Sequence, residues 1–259
     1  MNLLLFTADE RQGDRVVLSG RRAEHIRSVL RLDLGDQLRV GEVNGLIGTA
    51  VINRIDRESV HLAVSLSSPP PRPANIELIL ALPRPIMLQR ILKQATTLGV
   101  KRFHLIRTRR VEKSFFHTPV LFPEKIEKIL LEAMEQAMDT GMPEVLIHHR
   151  FKPFIEDVLP TLAGTGLLAH PTAEYSLDTI FSSFPSADNR TIPSGPARKK
   201  ILLAIGPEGG FLDYECSQFI TRGFHSFTMG PRILHVDTAV VALLAQVALL
   251  TSGEKRPAR

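Results

Sequence analysis

The segment ILLAIGPEGGF, residues 201–211, runs from five apolar residues directly into Gly-Pro-Glu-Gly-Gly. The apolar run is typical of a buried strand, and the glycines let the chain turn sharply and let a ligand approach bare backbone. Exposed backbone N–H groups at such a turn can bind an adenine, a carboxylate or a phosphate. A purely structural turn is the alternative. The spacing matches neither the phosphate loop of triphosphate-binding proteins nor the dinucleotide fingerprint, which disfavours both ligands.

A second segment, TMGPRILHVDTAVVALLAQVALL at residues 228–250, repeats this design. We predict a short strand before Gly230-Pro231 and a helix that begins near Asp237-Thr238, where Asp237 can cap the free N–H groups. The helix is apolar almost all round, so it must be buried on several sides, inside its domain or in a subunit interface. We favour a homodimer interface.

The segments around these two loops predict an α/β fold. Apolar runs of strand length occur at residues 76–82, 103–107, 145–149 and 167–171. Apolar residues recur at helical spacing in segments 87–100 and 124–141. This alternation indicates a parallel sheet with helices between the strands. Residues 182–200 are rich in Ser and Pro and are predicted to form a surface loop.

The N-terminal part has a different pattern, and the proline-rich stretch SSPPPRPAN at 67–75 separates the two. Three segments before it alternate apolar and polar residues between turn signals, which predicts a small antiparallel barrel or sandwich; they are 37–43, 46–55 and 59–66. We therefore expect a β-domain at 1–68, a linker at 69–75 and an α/β domain at 76–259. One helix is predicted near 21–31, with Ala23, Ile26, Val29 and Leu30 on its packed face and Arg22, Arg27 and Arg31 free for solvent or a phosphate backbone.

Composition and charge exclude several classes of protein. The 259 residues are 44% hydrophobic and 23% charged, as in ordinary globular proteins, and the net charge of +5 favours an anionic partner. The single cysteine, Cys216, excludes an internal disulfide and any cysteine-rich metal site, and we expect no metal. The N-terminus does not read as a signal peptide, and the longest apolar stretch, 239–250, is too short for a bilayer. We expect a cytoplasmic protein with no membrane partner.

The basic residues are concentrated in one region. Residues 73–113 hold nine basic and two acidic side chains, whereas residues 114–197 hold five basic and eleven acidic ones. Within the first region, Arg107, Arg109 and Arg110 follow a predicted strand, so we expect them at its carboxyl end, where open α/β sheets bind ligands. This region is a candidate RNA-binding face, and scattered solvated charges are the alternative.

The two glycine loops together resemble a known family. GPEGGF at 206–211 followed by GPRIL and then TA at 230–239 is similar to the C-terminal signature of the RsmE family, the 16S ribosomal RNA uridine-N3 methyltransferases. Further similarities fall in the family's order along the chain: His25, Val29-Leu30-Arg31, Gly35-Asp36, Leu98-Gly99-Val100 and Glu135-Gln136. The chain departs from the family pattern at His235, Val236 and Asp237, where the family has Arg, Thr and Glu, and at Lys93, Gln94 and Thr97.

The resemblance implies a fold, a reaction and partners. It implies a PUA-like β-barrel followed by a SPOUT domain, an α/β methyltransferase fold whose C-terminal chain is threaded into a trefoil knot. It also implies a homodimer that uses S-adenosylmethionine to methylate N3 of a uridine in 16S ribosomal RNA or the 30S subunit. The cofactor-binding residues that it implies are Leu168, His170, Gly206, Pro207, Glu208, Gly209, Gly210, Met229, Gly230, Ile233, Leu234 and Ala239.

The reaction limits which residues can be catalytic. A methyl group on sulfonium is already activated, so the protein must align the two reactants and remove the N3 proton. Arg232 is the candidate that stabilises negative charge on the uracil, although pairing with Glu208 or a helix end is an equal alternative. Asp237, His235 and Glu208 are candidate proton acceptors, and Arg22, Arg31, Arg109 and Arg110 are candidate RNA contacts.

Three other functions remain open from the sequence. The first is methylation of another RNA target. The second is RNA binding without catalysis, which would give the protein no reason to bind S-adenosylmethionine. The third is a small-molecule transferase that binds a phosphate at the glycine loops, for which the strong salt dependence of RNA binding would be absent.

Overall fold

The computed structural model describes residues 2–183 and 200–251, and most of the surface loop predicted at 182–200 lies outside them. The chain divides into two compact units. The first comprises residues 1–72 and 128–142, and the second comprises residues 73–127 and 143–259. The predicted domain limits at 68 and 76 stay a prediction, and the first unit also takes in a later stretch of chain.

The first unit contains one six-stranded sheet, and its antiparallel core confirms the predicted alternating strands. The strand order is β1-β4-β5-β6-β3-β2, and only β1 pairs in parallel, with β4. Apolar residues from every second position form its core, as the alternation requires. The strands are β1 (Leu4–Phe6), β2 (Arg11–Gln12), β3 (Arg15–Ser19), β4 (Gln37–Glu42), β5 (Ile47–Ile55) and β6 (Ser59–Ser68).

The predicted N-terminal helix forms in two parts. The first part is α1 (Gly20–Glu24), and the second, His25–Leu30, is wound more widely as a π-helix. Ala23 and Ile26 are fully buried as predicted, but Val29 is 64% exposed, so its assignment to the packed face is wrong. The extra residue in the π-turn rotates Val29 away from the face that a regular helix would give it.

The second unit contains a six-stranded sheet in which every pairing is parallel, as predicted. The strand order is β12-β10-β11-β7-β8-β9. All six residues of the central strand β7 are buried, which explains why five of them are apolar; the sixth is Glu77. The strands are β7 (Ile76–Ala81), β8 (Arg102–Ile106), β9 (Glu144–His148), β10 (Thr165–Ala169), β11 (Ile201–Ile205) and β12 (His225–Phe227).

The remaining helices follow the strands of this sheet, and they confirm the two predicted amphipathic segments. The α-helices are α2 (Pro85–Thr97), α3 (Pro123–Ala137), α4 (Phe151–Pro153), α5 (Leu177–Ser183), α6 (Asp213–Ile220) and α7 (Val236–Thr251). Short 3-10 turns lie at Ala8–Glu10, Lys113–His117, Pro119–Leu121 and Leu159–Thr161, and a π-turn lies at Phe154–Val158.

The last predicted helix, α7, begins one residue before Asp237. Its side chains Val240, Leu243, Leu244 and Val247 are buried, whereas Leu249 is 75% exposed. These buried side chains lie on one face of α7, whereas Ala245, Ala248 and Leu249 are exposed. The chain by itself therefore does not bury α7 on several sides, and burial of its remaining apolar surface in a subunit interface stays a prediction.

Candidate functional site

The first cleft lies at the carboxyl ends of β10, β11 and β12, where parallel sheets present their loops to ligands. It encloses about 700 Å³ of space, part of which is open to solvent. We call it the glycine-loop cleft because the segments after β11 and β12 form most of its wall. Its lining residues are 169–171, 205–208, 210, 211, 227–230, 232–234, 236, 239 and 243.

Two glycines give the loops of this cleft their shape. Gly210 has a φ of +74° and Gly230 has a φ of +113°, backbone conformations that side-chain-bearing residues rarely adopt. The Gly210 N–H donates to the Pro207 carbonyl at 2.7 Å, which closes the turn after β11. The Gly230 N–H donates to the hydroxyl oxygen of Thr228 at 3.2 Å. The glycines are therefore required by the local backbone geometry.

The cleft brings together most of the residues that the resemblance implied for cofactor binding. Ten of the twelve line it, namely His170, Gly206, Pro207, Glu208, Gly210, Met229, Gly230, Ile233, Leu234 and Ala239. Leu168 does not, because it is fully buried inside β10, and the next residue, Ala169, lines the cleft instead. Gly209 does not either, since a Cβ built on it would point at Arg110, 3.1 Å from that residue's Cδ.

The three candidate catalytic residues have different surroundings. Arg232 and Glu208 line the glycine-loop cleft, and Glu208 also accepts a hydrogen bond from the Arg84 N–H at 3.3 Å. Asp237 is outside the lining. Its carboxylate accepts from the Thr238 N–H at 3.0 Å in the first turn of α7, and it lies 3.8 Å from the guanidinium of Arg90. This geometry supports the helix-capping interpretation of Asp237.

A second cleft lies at the carboxyl ends of β8 and β9, where Arg107, Arg109 and Arg110 were expected. It is larger and encloses about 1350 Å³ of largely open space. Its lining contains six basic side chains and two carboxylates, and we call it the basic cleft. The lining residues are 107–113, 149–152, 212, 214 and 215.

Glu215 of α6 holds the wall between the two clefts. Its side chain is buried, and its two carboxylate oxygens accept from the backbone N–H groups of Leu212, at 2.8 Å, and Arg109, at 2.7 Å. The guanidinium of Arg110 donates to the carbonyl of Gly209. We call residues 107–110, which follow β8, the arginine loop. It is thus bonded directly to the glycine loop at residues 206–210, which follows β11.

Three further basic candidates belong to the first unit. Arg22 is not free as expected, because its guanidinium forms an ion pair with Glu10 and donates to the Leu5 carbonyl at 3.0 Å. Arg27 is engaged as well, since it donates to the Asp56 carbonyl at 2.8 Å. Arg31 is exposed and has a left-handed backbone with a φ of +52° at the end of the helix. The pattern of basic residues cannot show which of them find a local acceptor.

A histidine pair lies below the basic cleft. His104 of β8 and His148 of β9 share a hydrogen bond of 3.1 Å between Nδ1 and Nε2, and Glu77 lies 3.5 Å from the other side of His104. Burial and then the neighbouring His104 and His149 lower the pKa of His148 to about 4. Burial also lowers the pKa of His104, against the opposing charge of Glu77. Both histidines are therefore neutral near pH 7.

Comparison with known proteins assigns the chain to a family. Residues 70–248 match a model described as an RNA methyltransferase domain, and residues 18–65 match one described as an RNA methyltransferase PUA domain. Ribosomal RNA small subunit methyltransferase E of Treponema pallidum is 30% identical, and the alignment covers 99% of this chain and 94% of that relative. The chain belongs to this methyltransferase family. The Synechocystis protein of the same name is also 30% identical, over 92% of this chain and 74% of its own.

Solved structures have the same fold as this family member. A methyltransferase of Legionella pneumophila, determined with its cofactor SAM bound, has a TM-score of 0.74 at 22% identity and covers 96% of this chain and 97% of its own. Ribosomal RNA small subunit methyltransferase E of Neisseria gonorrhoeae, bound to S-adenosyl methionine, has a TM-score of 0.71 at 21% identity, over 96% and 98%. A PUA domain followed by an α/β methyltransferase domain is confirmed, while the threading of the knot stays a prediction.

Sequence reasoning missed several residues of the two clefts. Glu215 was not singled out, although a glutamate three residues after the position that precedes a helix is the usual capping-box signal. Residues 149–152 were also missed, because the basic cleft is completed by a strand that is distant in sequence. Within the described ranges 2–183 and 200–251, no helix is long and apolar enough to cross a membrane, and no cluster of three or more His, Cys, Asp or Glu side chains could hold a metal ion.

Proposed function

We propose that this family member transfers a methyl group from S-adenosylmethionine to N3 of a uridine in 16S ribosomal RNA. The observation that carries the proposal is the glycine-loop cleft, in which ten of the twelve residues implied for the donor meet at one edge of the sheet. Relatives named as small-subunit ribosomal RNA methyltransferases align over almost the whole chain, which supports the same substrate class here.

The residues of the glycine-loop cleft fit the proposed donor. Ile205, Phe211, Leu234 and Leu243 offer an apolar surface for a flat adenine, and the cleft has the size of ordinary small-molecule sites. A Cβ on Gly206 would lie 3.1 Å from the Phe211 ring, so the bare backbone there keeps the wall open. S-adenosylmethionine supplies a methyl group that its sulfonium has already activated. The protein has to position the donor and the uridine, shield them from water and remove the N3 proton.

Arg232 and Glu208 are the side chains that we assign to the chemistry. The guanidinium of Arg232 stabilises the negative charge that the uracil acquires when N3 loses its proton. Glu208 is our proton acceptor because its carboxylate lines the cleft, whereas the Asp237 carboxylate is held by α7 and Arg90. The uracil must be unpaired or flipped out before its N3 edge can enter the cleft.

We also propose that the active unit is a cytoplasmic homodimer that acts on the 30S subunit. Apolar side chains on α2 and α7 are exposed: Ile86 is 70%, Leu249 75% and Leu250 42% exposed. Exposed apolar surface of this kind is typical of subunit interfaces. Sedimentation at micromolar concentration checks this, and a strictly monomeric active protein would contradict it.

The test is transfer of labelled methyl groups to small ribosomal subunits from cells that lack the gene, followed by nucleoside analysis. Naked 16S ribosomal RNA is assayed in parallel to separate the two forms of substrate. We expect label only in N3-methyluridine. Label in another nucleoside would overturn the assigned target, and RNA binding without donor binding would favour the noncatalytic alternative. Binding of phosphate compounds with no salt-dependent RNA binding would favour a small-molecule transferase.

A further inference from the structure

The basic cleft is separate from the glycine-loop cleft and has a composition that the transfer reaction itself does not need. Its cationic side chains are Arg107, Arg109, Arg110, Lys113, Arg150 and Lys152. Of its two carboxylates, Glu215 is already bonded to two backbone N–H groups. The excess of positive charge is therefore available to an anion.

Apart from Arg110, which donates to the Gly209 carbonyl, these cations have little competition from carboxylates. In residues 2–183 and 200–251, no carboxylate lies within ion-pair distance of the guanidinium groups of Arg107, Arg109 or Arg150, and Lys152 has only an exposed contact of 3.7 Å with Glu156. Such an exposed pair contributes little and does not prevent an anion from binding. The cations of the basic cleft differ in this respect from Arg22, whose positive charge is compensated by an ion pair with Glu10.

One neutral feature of the cleft points to a nucleic acid ligand. Tyr214 of α6 is 59% exposed and presents an aromatic ring at the edge of the cleft. A base can stack on such a ring while the cationic side chains around it bind the phosphates of the same strand.

The position of the cleft fixes its relation to the reaction. Arg110 lines the basic cleft and bonds to the Gly209 carbonyl, while Glu208 and Gly210 on either side of Gly209 line the glycine-loop cleft. A single loop therefore forms the wall between the two clefts. A chain bound in the basic cleft can place a neighbouring nucleotide over this wall.

We propose that the basic cleft binds an unpaired RNA segment next to the target uridine, with phosphates on Arg109 and Arg150 and a base stacked on Tyr214. The unpaired form is favoured because an exposed aromatic ring can stack on a base only where the base is not held in a duplex. This inference rests on the proposed function for the identity of the neighbouring nucleotide, but binding to the cleft can be measured independently.

The experiment measures the affinity of a short unpaired RNA and of a matched duplex by fluorescence anisotropy at several salt concentrations. We expect Arg150→Ala and Arg109→Ala each to weaken unpaired-RNA binding and to reduce the slope of log affinity against log salt by about 0.7, which corresponds to one phosphate contact. Tyr214→Ala should weaken binding by about 5- to 150-fold, and Tyr214→Phe should retain it, because stacking needs the ring and not the hydroxyl.

Lys125→Ala is the matched control, since Lys125 is exposed and lies outside the cleft lining. It removes the same charge and should leave the salt slope unchanged. Equal slopes for all variants, no RNA binding by the wild type, or losses confined to the duplex would each overturn the proposal.

The same variants separate this proposal from the proposed function. Normal methyl transfer with an unchanged KM for RNA in Arg150→Ala and Tyr214→Ala would refute the cleft and leave the function intact. RNA binding that depends on these side chains, without any methyl transfer, would refute the proposed methyltransferase function and support RNA binding by the basic cleft. The donor affinity of every variant is measured by calorimetry and should equal that of the wild type.

Discussion

The glycine-loop cleft and the basic cleft lie at the same edge of one parallel sheet, yet different kinds of groups form their walls. The glycine-loop cleft has about 700 Å³ of space, and backbone and apolar side chains dominate its wall. The basic cleft has about 1350 Å³ and is dominated by long cationic side chains. The ionisable side chains in the lining of the first cleft are those of Arg232, Glu208 and His170.

This difference indicates how each cleft should respond to change. A site shaped by backbone is sensitive to an added Cβ and to changes in φ, because no side chain can move aside. A site built from exposed cations is sensitive to charge removal and to salt, because its interactions are screened.

Removal of Arg232 should have the largest effect, and it should fall on catalysis. We expect Arg232→Ala to lower kcat by about 10²- to 10³-fold, as loss of a preorganised charge-stabilising donor does, with the donor Kd little changed. Arg232→Lys should recover part of the rate because it restores the charge. Steady-state methyl transfer checks this, with Arg222→Ala as the control because the Arg222 guanidinium donates to Gln218 of α6 and Arg222 lies outside the cleft lining. A loss of RNA affinity at constant kcat would instead place Arg232 with the basic cleft.

A Cβ on Gly230 should weaken donor binding by about tenfold, since a positive φ costs a non-glycine residue on the order of 1–3 kcal/mol and the loop relaxes away from its shape. Gly223→Ala is a matched control: Gly223 also has a positive φ, +82°, with open space around it, but it lies outside the cleft lining. Both variants should lower Tm, and only Gly230→Ala should raise the donor Kd in calorimetry. Equal donor affinity in both variants would show that the backbone conformation of Gly230 does not determine donor binding.

Mild acid should weaken the sheet below the basic cleft. His148, with its pKa lowered to about 4 in the folded protein, stays neutral there, whereas the unfolded chain protonates it near its ordinary value of 6.5. The unfolded state therefore binds the proton first, and the free energy of unfolding falls as the pH drops from 6.5 towards 4. His104, whose pKa is also lowered, acts in the same direction.

Urea unfolding at pH 7 and pH 5 measures this loss of stability. His148→Phe should reduce the difference between the two pH values, because one of the two titrating groups is gone. The same substitution at the exposed His117 should leave the difference as it is in the wild type. An unchanged difference in His148→Phe would mean that His148 does not titrate differently on folding.

The fold was predictable from the sequence where local pattern determines structure. Strands β4 to β12, helices α2, α3 and α7 and the two glycine loops follow from periodicity and from residues with special backbone freedom. The short strands β1, β2 and β3 were not predicted. Partners distant in sequence were not predictable. The charge pattern does not reveal that Glu10 pairs with Arg22, that residues 149–152 complete the basic cleft, or that Gly209 faces Arg110.

The π-turn that misplaced Val29 shows a second limit. The π-turn contains one extra residue, and this changes the direction in which the following side chains point. The spacing of apolar residues in the sequence does not show where such an extra residue occurs. The resemblance selected residues that the fold brings into one cleft, because a family motif carries three-dimensional information that periodicity lacks; their contact with the donor stays a prediction. It was less successful for Leu168, whose side chain points into the sheet one position before the residue that lines the cleft.

The buried carboxylate of Glu215 has a consequence for the order in which two ligands bind. Because it is bonded to both the arginine loop and the start of α6, the two clefts do not have independent walls. If the first ligand shifts this shared wall and thereby changes the affinity for the second by some factor, the second must change the affinity for the first by the same factor. Titration of either ligand, once with and once without the other, therefore measures the cooperativity of the whole complex.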